Sequence, residues 1–191
     1  MNLKKEVFMR VISGTAKGTK LNSIDELSTR PTLDRVKEAL FNIIQSKIQD
    51  SIILDLFSGS GSIGIEFLSR GCKKAYLCDK AHNAIKMINQ NLERTRLTEN
   101  SVVIEKDYKK CLQDLAKNKV AFDIIFIDPP YKDNIAADAV QIILSLGLLK
   151  EEGFIIIETD EKDREIENLK KLDIQIYDCR KYGRVNLIFL N

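Results

Sequence analysis

The stretch Leu54-Asp-Leu-Phe-Ser-Gly-Ser-Gly-Ser-Ile-Gly64 follows a short apolar run and precedes a helical pattern. The glycines at 59, 61 and 64 have the spacing of a strand-to-helix turn that binds a nucleotide. Glycine lets the backbone approach a ligand closely, and the following helix presents unpaired N–H donors at its N-terminus. The stretch therefore predicts the first strand-turn-helix unit of a nucleotide-binding sheet.

Strand and helix patterns alternate from Ser51 to the C-terminus. The predicted strands lie near 52–57, 74–79, 101–106, 122–127 and 153–159, and the predicted helices near 62–70, 81–95, 108–117, 134–146 and 161–170. Two further strand-like runs, 173–179 and 185–190, are joined by residues 180–184, which predicts an antiparallel hairpin. The fold class is therefore α/β, with a doubly wound and mostly parallel sheet.

A basic segment precedes this sheet. Residues 1–24 contain five Lys or Arg residues and one acidic residue, and Gly14 and Gly18 follow an alternating pattern that is typical of a short hairpin. We divide the chain into an N-terminal extension with a hairpin over 1–24 and a main domain over 25–191. A helix of about four turns is predicted to open near Pro31.

Composition and charge limit the function classes. The chain has 191 residues, 44% of them hydrophobic, which is enough for one main domain with a full core. The net charge of +2 is not typical of a protein that binds polyanions over its whole surface. Basic residues nevertheless concentrate in 1–24 and again in 69–96, where they face either phosphates or solvent. The four cysteines lack paired metal spacing, and no apolar segment resembles a signal peptide or a membrane span. We expect reduced thiols, a cytoplasmic location, no metal and no membrane.

The stretch Phe122-Asp-Ile-Ile-Phe-Ile-Asp-Pro-Pro-Tyr131 predicts a buried strand that ends in a rigid turn. Asp128 offers carboxylate oxygens, Pro129 offers a carbonyl oxygen, and Tyr131 offers a flat ring for stacking. Two acceptors on the hydrogens of a planar amine would draw its nitrogen toward a tetrahedral, nucleophilic form. The turn therefore predicts chemistry on an exocyclic amine of a heterocycle.

Acidic residues at the other strand ends indicate the second ligand. Asp79 ends the second predicted strand, where a carboxylate accepts from ribose hydroxyls. Asp55 would repel a pyrophosphate but attract the amino group and tolerate the sulfonium of S-adenosylmethionine, which favours the methyl donor over NAD. Asp107 either accepts from the adenine amino group or caps the following helix.

The motifs around Asp55 and Asp128 resemble those of a known family. Asp55-Leu-Phe-Ser-Gly-Ser-Gly and Asp128-Pro-Pro-Tyr resemble the class I S-adenosylmethionine-dependent methyltransferases that act on amino groups. Arg10-Val-Ile-Ser-Gly, Lys17-Gly-Thr-Lys-Leu and Arg30-Pro-Thr-Leu-Asp-Arg-Val-Lys-Glu-Ala-Leu-Phe41 resemble the start of the RsmD family, the bacterial methyltransferases that modify a guanine N2 of small-subunit ribosomal RNA. The resemblance runs from about Met9 to the C-terminus, and Ala16 departs from the bulkier or basic residue that relatives often carry.

The resemblance implies a seven-stranded Rossmann-like sheet with an antiparallel C-terminal strand. It also implies methyl transfer to a guanine N2 of 16S ribosomal RNA, with free RNA or the assembling small subunit as partner and a monomeric enzyme. The target base must be flipped out or lie in an irregular region to reach the donor. The candidate catalytic residues are Asp128, Pro129, Pro130 and Tyr131. The candidate cofactor-binding residues are Asp55, Phe57, Gly59, Ser60, Gly61, Asp79, Lys80, Asp107 and Tyr108. The candidate RNA-binding residues are Arg10, Lys17, Lys20, Arg30 and Arg35.

Three alternatives stay open. Asp-Pro-Pro-Tyr also resembles the signature of adenine-N6 DNA methyltransferases, although this short chain has no room for a large sequence-reading domain. From other classes, an NAD-binding oxidoreductase would use the same glycines, and a non-catalytic RNA-binding module would use the same basic hairpin.

Overall fold

A seven-stranded sheet is built around the buried run Phe122–Ile127. The computed structural model describes residues 9–23, 31–130 and 134–191, so the predictions for Arg30 and Tyr131 lie outside the described residues. The strands are β1 (Ile52–Asp55), β2 (Lys74–Asp79), β3 (Ser101–Glu105), β4 (Phe122–Ile127), β5 (Leu149–Thr159), β6 (Ile176–Tyr182) and β7 (Val185–Leu190). The helices are α1 (Pro31–Ile43), α2 (Ser62–Ser69), α3 (His82–Thr95), α4 (Tyr108–Lys117), α5 (Ile135–Ser145) and α6 (Lys162–Lys171), with a 3₁₀ turn at Gln45–Lys47.

The strand order is β3-β2-β1-β4-β5-β7-β6. Neighbouring strands from β3 to β5 pair in parallel, and β7 is antiparallel to both β5 and β6. Successive side chains of a strand point to opposite faces, so Ile124 and Phe126 pack with α1–α3 while Ile125 and Ile127 pack with α4–α6. The predicted doubly wound sheet with one antiparallel C-terminal strand is confirmed.

Three strand boundaries differ from the predicted ones. β1 ends at Asp55 because the following residues turn toward neighbouring strands: Ser58 N–H donates to the Cys78 carbonyl at 2.9 Å. β5 begins at Leu149 rather than near 153, with an irregular register opposite Phe122. β6 begins at Ile176 rather than 173 because Asp173, with φ of 56°, still belongs to the turn that ends α6.

Residues 9–23 form the predicted hairpin, with one antiparallel bridge between Arg10 and Lys20. Gly14 has φ of +82°, and a Cβ added there would lie 1.7 Å from the Ser69 carbonyl oxygen, so this close contact with α2 requires glycine. Val11, Ala16 and Leu21 are buried in the main core. Ala16 is therefore a packing residue of the hairpin. The predicted domain boundary falls in 24–30, outside the described residues.

Among the residues that the structure describes, no helix is long and apolar enough to cross a membrane. The four cysteines carry free thiols. No group of three or more His, Cys, Asp or Glu residues in the described part of the chain is arranged to hold a metal ion.

Candidate active site

Four acidic residues lie in a row along the carboxyl edge of the sheet. Asp79 ends β2, Asp55 ends β1, Asp128 directly follows β4, and Glu158 lies one residue before the end of β5. The row crosses the gap between β1 and β4. The connection that follows β1 leads to β2 on one side of this gap, and the connection that follows β4 leads to β5 on the other. In open α/β sheets, ligands bind in the crevice at such a point.

The glycine loop between β1 and α2 has the backbone that the sequence predicts. Gly59 and Gly61 have φ of +53° and +79°, in the left-handed region that favours glycine. A Cβ at Gly64 would lie 2.6 Å from Leu77 Cδ2, so the third glycine allows α2 to pack against β2. The loop thus brings the start of α2 to the sheet edge, next to Asp55 and Asp79.

Asp55 is held beneath this loop and is only 2% exposed. Its Oδ2 accepts from Gly64 N–H at 3.1 Å. Burial raises the pKa of Asp55 to about 7, the Gly64 hydrogen bond opposes the shift, and the neighbouring carboxylates Asp128 and Asp79 add to it. A cationic ligand would relieve this unfavourable charge.

Asp79 also holds the glycine loop in place. Its Oδ2 accepts from Gly59 N–H at 2.9 Å, and its Oδ1 accepts from Ala81 N–H at 2.9 Å. Each carboxylate oxygen has a second lone pair, so both oxygens can still accept from a ligand hydroxyl. Asp79 therefore keeps acceptor capacity at the edge of the glycine loop.

A cavity of about 320 Å³, here called the Asp79 cleft, lies beside that carboxylate. The rings of Phe57 and Tyr108 lie 5.5 Å apart between centroids in this cleft, and the Tyr108 hydroxyl donates to Asp138 Oδ2 at 2.6 Å. Asp107 caps α4 by accepting from Lys109 N–H at 3.0 Å, as one of the two predicted roles requires. The other predicted cofactor residue on this wall, Lys80, is exposed.

A second cavity of about 200 Å³, here called the carboxylate cleft, shares Phe57 with the first. Its walls carry Asp55, Asp128 and Glu158 together with the glycine-loop residues Gly59 and Ser60. Phe57 and Asp128 line both clefts. The structure thus places Asp128 at the junction of a flat aromatic cleft and an acidic one.

Asp128 itself is partly buried and is followed by Pro129 and Pro130. Burial raises its pKa to about 7, and the negative charge of Asp160 adds to the shift. Perturbed carboxyl groups in a cleft are typical of functional sites. Of the predicted catalytic residues, the structure brings Asp128 and Pro130 to the Asp79 cleft, with Pro129 between them.

Glu158 was not predicted from the sequence. It follows the apolar run Phe154–Ile157 at the carboxyl end of β5, the position that Asp128 occupies after β4. Burial, followed by repulsion from Asp128 and Asp55, raises the pKa of Glu158 to about 8. The available signal was an acidic residue after a buried parallel strand, the same signal that identified Asp79.

Comparisons with known proteins match the chain over most of its length. The family model described as Conserved hypothetical protein 95 matches residues 9–191. The chain belongs to the RsmD family. The Bacillus subtilis protein YlbH is 42% identical over 159 residues, which cover 83% of this chain and 85% of the relative. The Haemophilus influenzae protein named ribosomal RNA small subunit methyltransferase D is 37% identical over 164 residues, 85% of this chain and 83% of the relative. The structure of the Escherichia coli protein yhhF matches with a TM-score of 0.78 and 28% identity, covering 95% of this chain and 96% of that one.

In this RsmD family member, the predicted RNA-binding residues lie around the hairpin. Arg10, Lys17 and Arg35 line one groove of about 550 Å³, together with the acidic Asp34 and Glu38. Lys20 is exposed on the hairpin strand paired with Arg10. The structure thus brings three of the five predicted residues into one groove, with Lys20 beside it.

A buried carboxylate that the sequence did not reveal fixes the hairpin to α2. Glu66 is fully buried, and its two oxygens accept from Ile12 N–H at 2.8 Å and Ser13 N–H at 2.9 Å. It also pairs with Arg70 at 2.8 Å and with Lys37 at 3.4 Å. Burial lowers the pKa of Lys37, whereas Glu66 opposes that shift. Arg70, which belongs to the basic stretch 69–96, therefore pairs with a buried carboxylate and does not face a phosphate.

A second buried side chain links the hairpin to the glycine loop. The Asn91 amide on α3 donates to the Asn22 carbonyl at 3.0 Å and to the Ser60 carbonyl at 2.9 Å, and its oxygen accepts from Asn22 N–H at 2.8 Å. One side chain thus holds the end of the basic segment and the glycine loop together.

Proposed function

We propose that this protein transfers a methyl group from S-adenosylmethionine to the exocyclic N2 amine of a guanine in small-subunit ribosomal RNA. The observation that carries the proposal is Asp128, a carboxylate at the junction of the Asp79 cleft and the carboxylate cleft. The relatives named ribosomal RNA small subunit methyltransferase D support the substrate class.

The residues of the two clefts fit the proposed cofactor. Asp79 would accept from the ribose hydroxyls, while Phe57, Asp107 and Tyr108 would surround the adenine. Asp55 and the backbone of the glycine loop would hold the amino-acid end. When bound, S-adenosylmethionine supplies a methyl group on a positively charged sulfur.

The electrostatics of the carboxylate cleft favour this cation over a dinucleotide. Three carboxyl groups with raised pKa values line it, and each would be stabilised in its ionised form by a positive ligand. A pyrophosphate would instead add negative charge to the cluster. The cationic side chain on the same wall, Lys37, is already held by Glu66 and by the Arg10 carbonyl at 2.7 Å.

Asp128 and Pro129 would act directly on the target amine. The Asp128 carboxylate and the Pro129 carbonyl would accept its two hydrogens, which orients the nitrogen lone pair toward the methyl group. As the N–C bond forms and the methyl–sulfur bond breaks, the Asp128 carboxylate would stabilise the positive charge that the nitrogen gains, and it would accept the proton that the nitrogen then releases. Tyr131 would stack on the base.

The proposed RNA contact is the groove of Arg10, Lys17 and Arg35 with Lys20 beside it, and Arg30 is proposed as a further RNA-binding residue. We propose that the protein works in the cytoplasm as a monomer, on free ribosomal RNA or on the assembling small subunit.

The test is single-turnover methyl transfer by Asp128→Asn to small-subunit particles from cells that lack the protein, followed by nucleoside analysis. The amide keeps the size and one acceptor but loses the charge, so we expect the rate to fall about 10²–10³-fold with cofactor affinity retained. Asp50→Asn, which removes an exposed carboxylate, is the control. Near-normal transfer by Asp128→Asn, or a methylated base other than guanine in the unchanged protein's product, would contradict the proposal.

A further inference from the structure

The Asp-Pro-Pro-Tyr turn accounts for binding of an exocyclic amine but not for the choice of base. Guanine and adenine both offer such an amine, and they differ at the neighbouring ring nitrogen. Beside its N2 amine, guanine has an N1–H donor, whereas adenine beside its N6 amine has a bare N1 acceptor. A residue that selects guanine must therefore place an acceptor next to the amine-binding group.

Glu158 occupies such a position beside Asp128. Ile127 of β4 pairs with Ile157 of β5 in parallel register, so the next residues, Asp128 and Glu158, are neighbours at the sheet edge. Both line the carboxylate cleft.

The order of strands also places Glu158 on the side of the target base. Along the row of acids, Asp79 lies at the nucleoside end and Glu158 at the opposite end, with Asp55 and Asp128 between them. A base whose amine reaches Asp128 from the side away from Asp79 meets Glu158 next.

Glu158 also differs from Asp55 and Asp79 in its hydrogen bonds. Asp55 and Asp79 accept from backbone N–H groups. Within the described residues, the Glu158 carboxylate has neither a hydrogen bond nor an ion pair, although its surroundings are buried enough to raise its pKa to about 8. An acceptor in such surroundings gains from a ligand donor.

We propose that Glu158 is the residue that selects guanine, by accepting a hydrogen bond from the base N1–H while Asp128 holds the N2 amine. The proposal rests on the function proposed above and deepens it. With adenine, the N1 lone pair would face the Glu158 carboxylate, and both groups would lose hydration without gaining a bond. Sites built to hydrogen-bond one group reject the analogue that lacks it strongly.

The test uses 2-aminopurine, which keeps the 2-amino group of guanine but has an N1 acceptor in place of N1–H. The target nucleotide is first mapped and then replaced by 2-aminopurine in synthetic RNA. This RNA is used free or in a reconstituted particle, according to which of the two the unchanged protein methylates. Assays run at about pH 8.5, above the pKa of Glu158. Glu158→Gln keeps the shape and removes the charge, Glu158→Asp keeps the charge, and Glu151→Gln makes the same substitution at an exposed position of β5.

We expect the unchanged protein to prefer guanine over 2-aminopurine by about 100-fold in kcat/KM. Glu158→Gln should lose about 10–100-fold on guanine and little on 2-aminopurine, since a hydrogen bond to a charged group is worth that much. The preference should therefore nearly vanish in Glu158→Gln, survive at lower rates in Glu158→Asp, and stay unchanged in Glu151→Gln.

Two results would overturn the role of Glu158. Equal losses on both bases would mean that Glu158 supports the cleft without selecting the base. Equal use of guanine and 2-aminopurine by the unchanged protein would show that N1–H is not recognised, and this measurement needs no variant to fold. An unchanged protein that methylates no guanine at all would instead refute the proposed function itself.

Discussion

Replacing Asp55 by Asn should stabilise the cofactor-free protein at high pH. Asp55 is only 2% exposed, lies near Asp128 and Asp79, and has its pKa raised to about 7, mainly by burial. Asn keeps an oxygen that can accept from Gly64 N–H but carries no charge. The substitution therefore isolates the free-energy cost of ionising this side chain inside the protein.

The size of the effect follows from the pKa of Asp55. Its ordinary value is 3.8, so at pH 5 the group is ionised in the unfolded chain but still protonated in the folded protein. The folded state binds more protons in this window, and its stability is lost as the pH rises through the folded pKa. Two pH units between 5 and 7, at about 1.4 kcal/mol per unit, give about 3 kcal/mol. For a chain of 191 residues this is a Tm difference of about 6–12 °C.

The assay is denaturant unfolding of both proteins at pH 5 and at pH 8 without cofactor. The stability difference between Asp55→Asn and the unchanged protein should move by about 3 kcal/mol in favour of Asn from the lower to the higher pH. Asp50→Asn removes an exposed carboxylate, and its difference should not grow. A difference for Asp55→Asn that stays constant, or that moves the other way, would refute the reasoning. The same variant should bind S-adenosylmethionine more weakly, because the buried charge that destabilises the free protein attracts the ligand.

Three further predictions concern the cofactor, the RNA and the reacting carboxylate. Asp79→Ala removes the proposed acceptor for two ribose hydroxyls, so calorimetry should show at least about tenfold weaker S-adenosylmethionine binding; an unchanged affinity contradicts the assignment. Charge reversal at Lys17 and Lys20 should weaken RNA binding and lower the log–log salt slope by somewhat less than about one unit per lost phosphate contact, with cofactor affinity unaltered; an unchanged slope excludes the hairpin as the electrostatic contact. Asp128 should act in its ionised form, so kcat/KM should fall as the pH drops through about 7. Asp160→Asn removes a neighbouring negative charge, so it should lower the pKa of Asp128 and move this fall in kcat/KM to lower pH. If the fall in kcat/KM stays at the same pH, Asp160 does not influence the group that titrates.

The fold was largely predictable because its signals are local. Each strand of the parallel part is a short apolar run, and each following helix has a periodic apolar face, so the alternation alone predicts the doubly wound sheet. The errors came where tertiary structure sets a boundary. β5 begins at Leu149, and the left-handed conformation of Asp173 moves the start of β6 toward the C-terminus. The sequence around each of these residues is that of an ordinary loop, so it does not indicate either boundary.

The acids at the sheet edge could be predicted for a related reason. In a parallel sheet the carboxyl ends of strands meet at one edge, so Asp55, Asp79 and Asp128 had to lie near one another once the strands were known. Glu158 obeys the same rule but lies near the end of a strand that no proline turn or glycine loop follows. The acidic residue after an apolar run was its sequence signal, and the register with β4 then placed it beside Asp128.

The interior polar residues had no sequence signal because their partners are distant along the chain. Glu66 lies on a helix, where a charged residue usually faces solvent, and its two backbone donors come from Ile12 and Ser13. Asn91 likewise binds Asn22 and Ser60. These contacts have a consequence for function, because a fully buried carboxylate or amide that loses its partner carries a large desolvation cost. Separating the basic hairpin from α2 and α3 would leave Glu66 and Asn91 without these partners and would therefore carry that cost. The groove proposed for RNA is thus held in a fixed position relative to the glycine loop proposed for the cofactor. A reaction that depends on aligning an RNA amine with a methyl group needs such rigidity between its two binding surfaces.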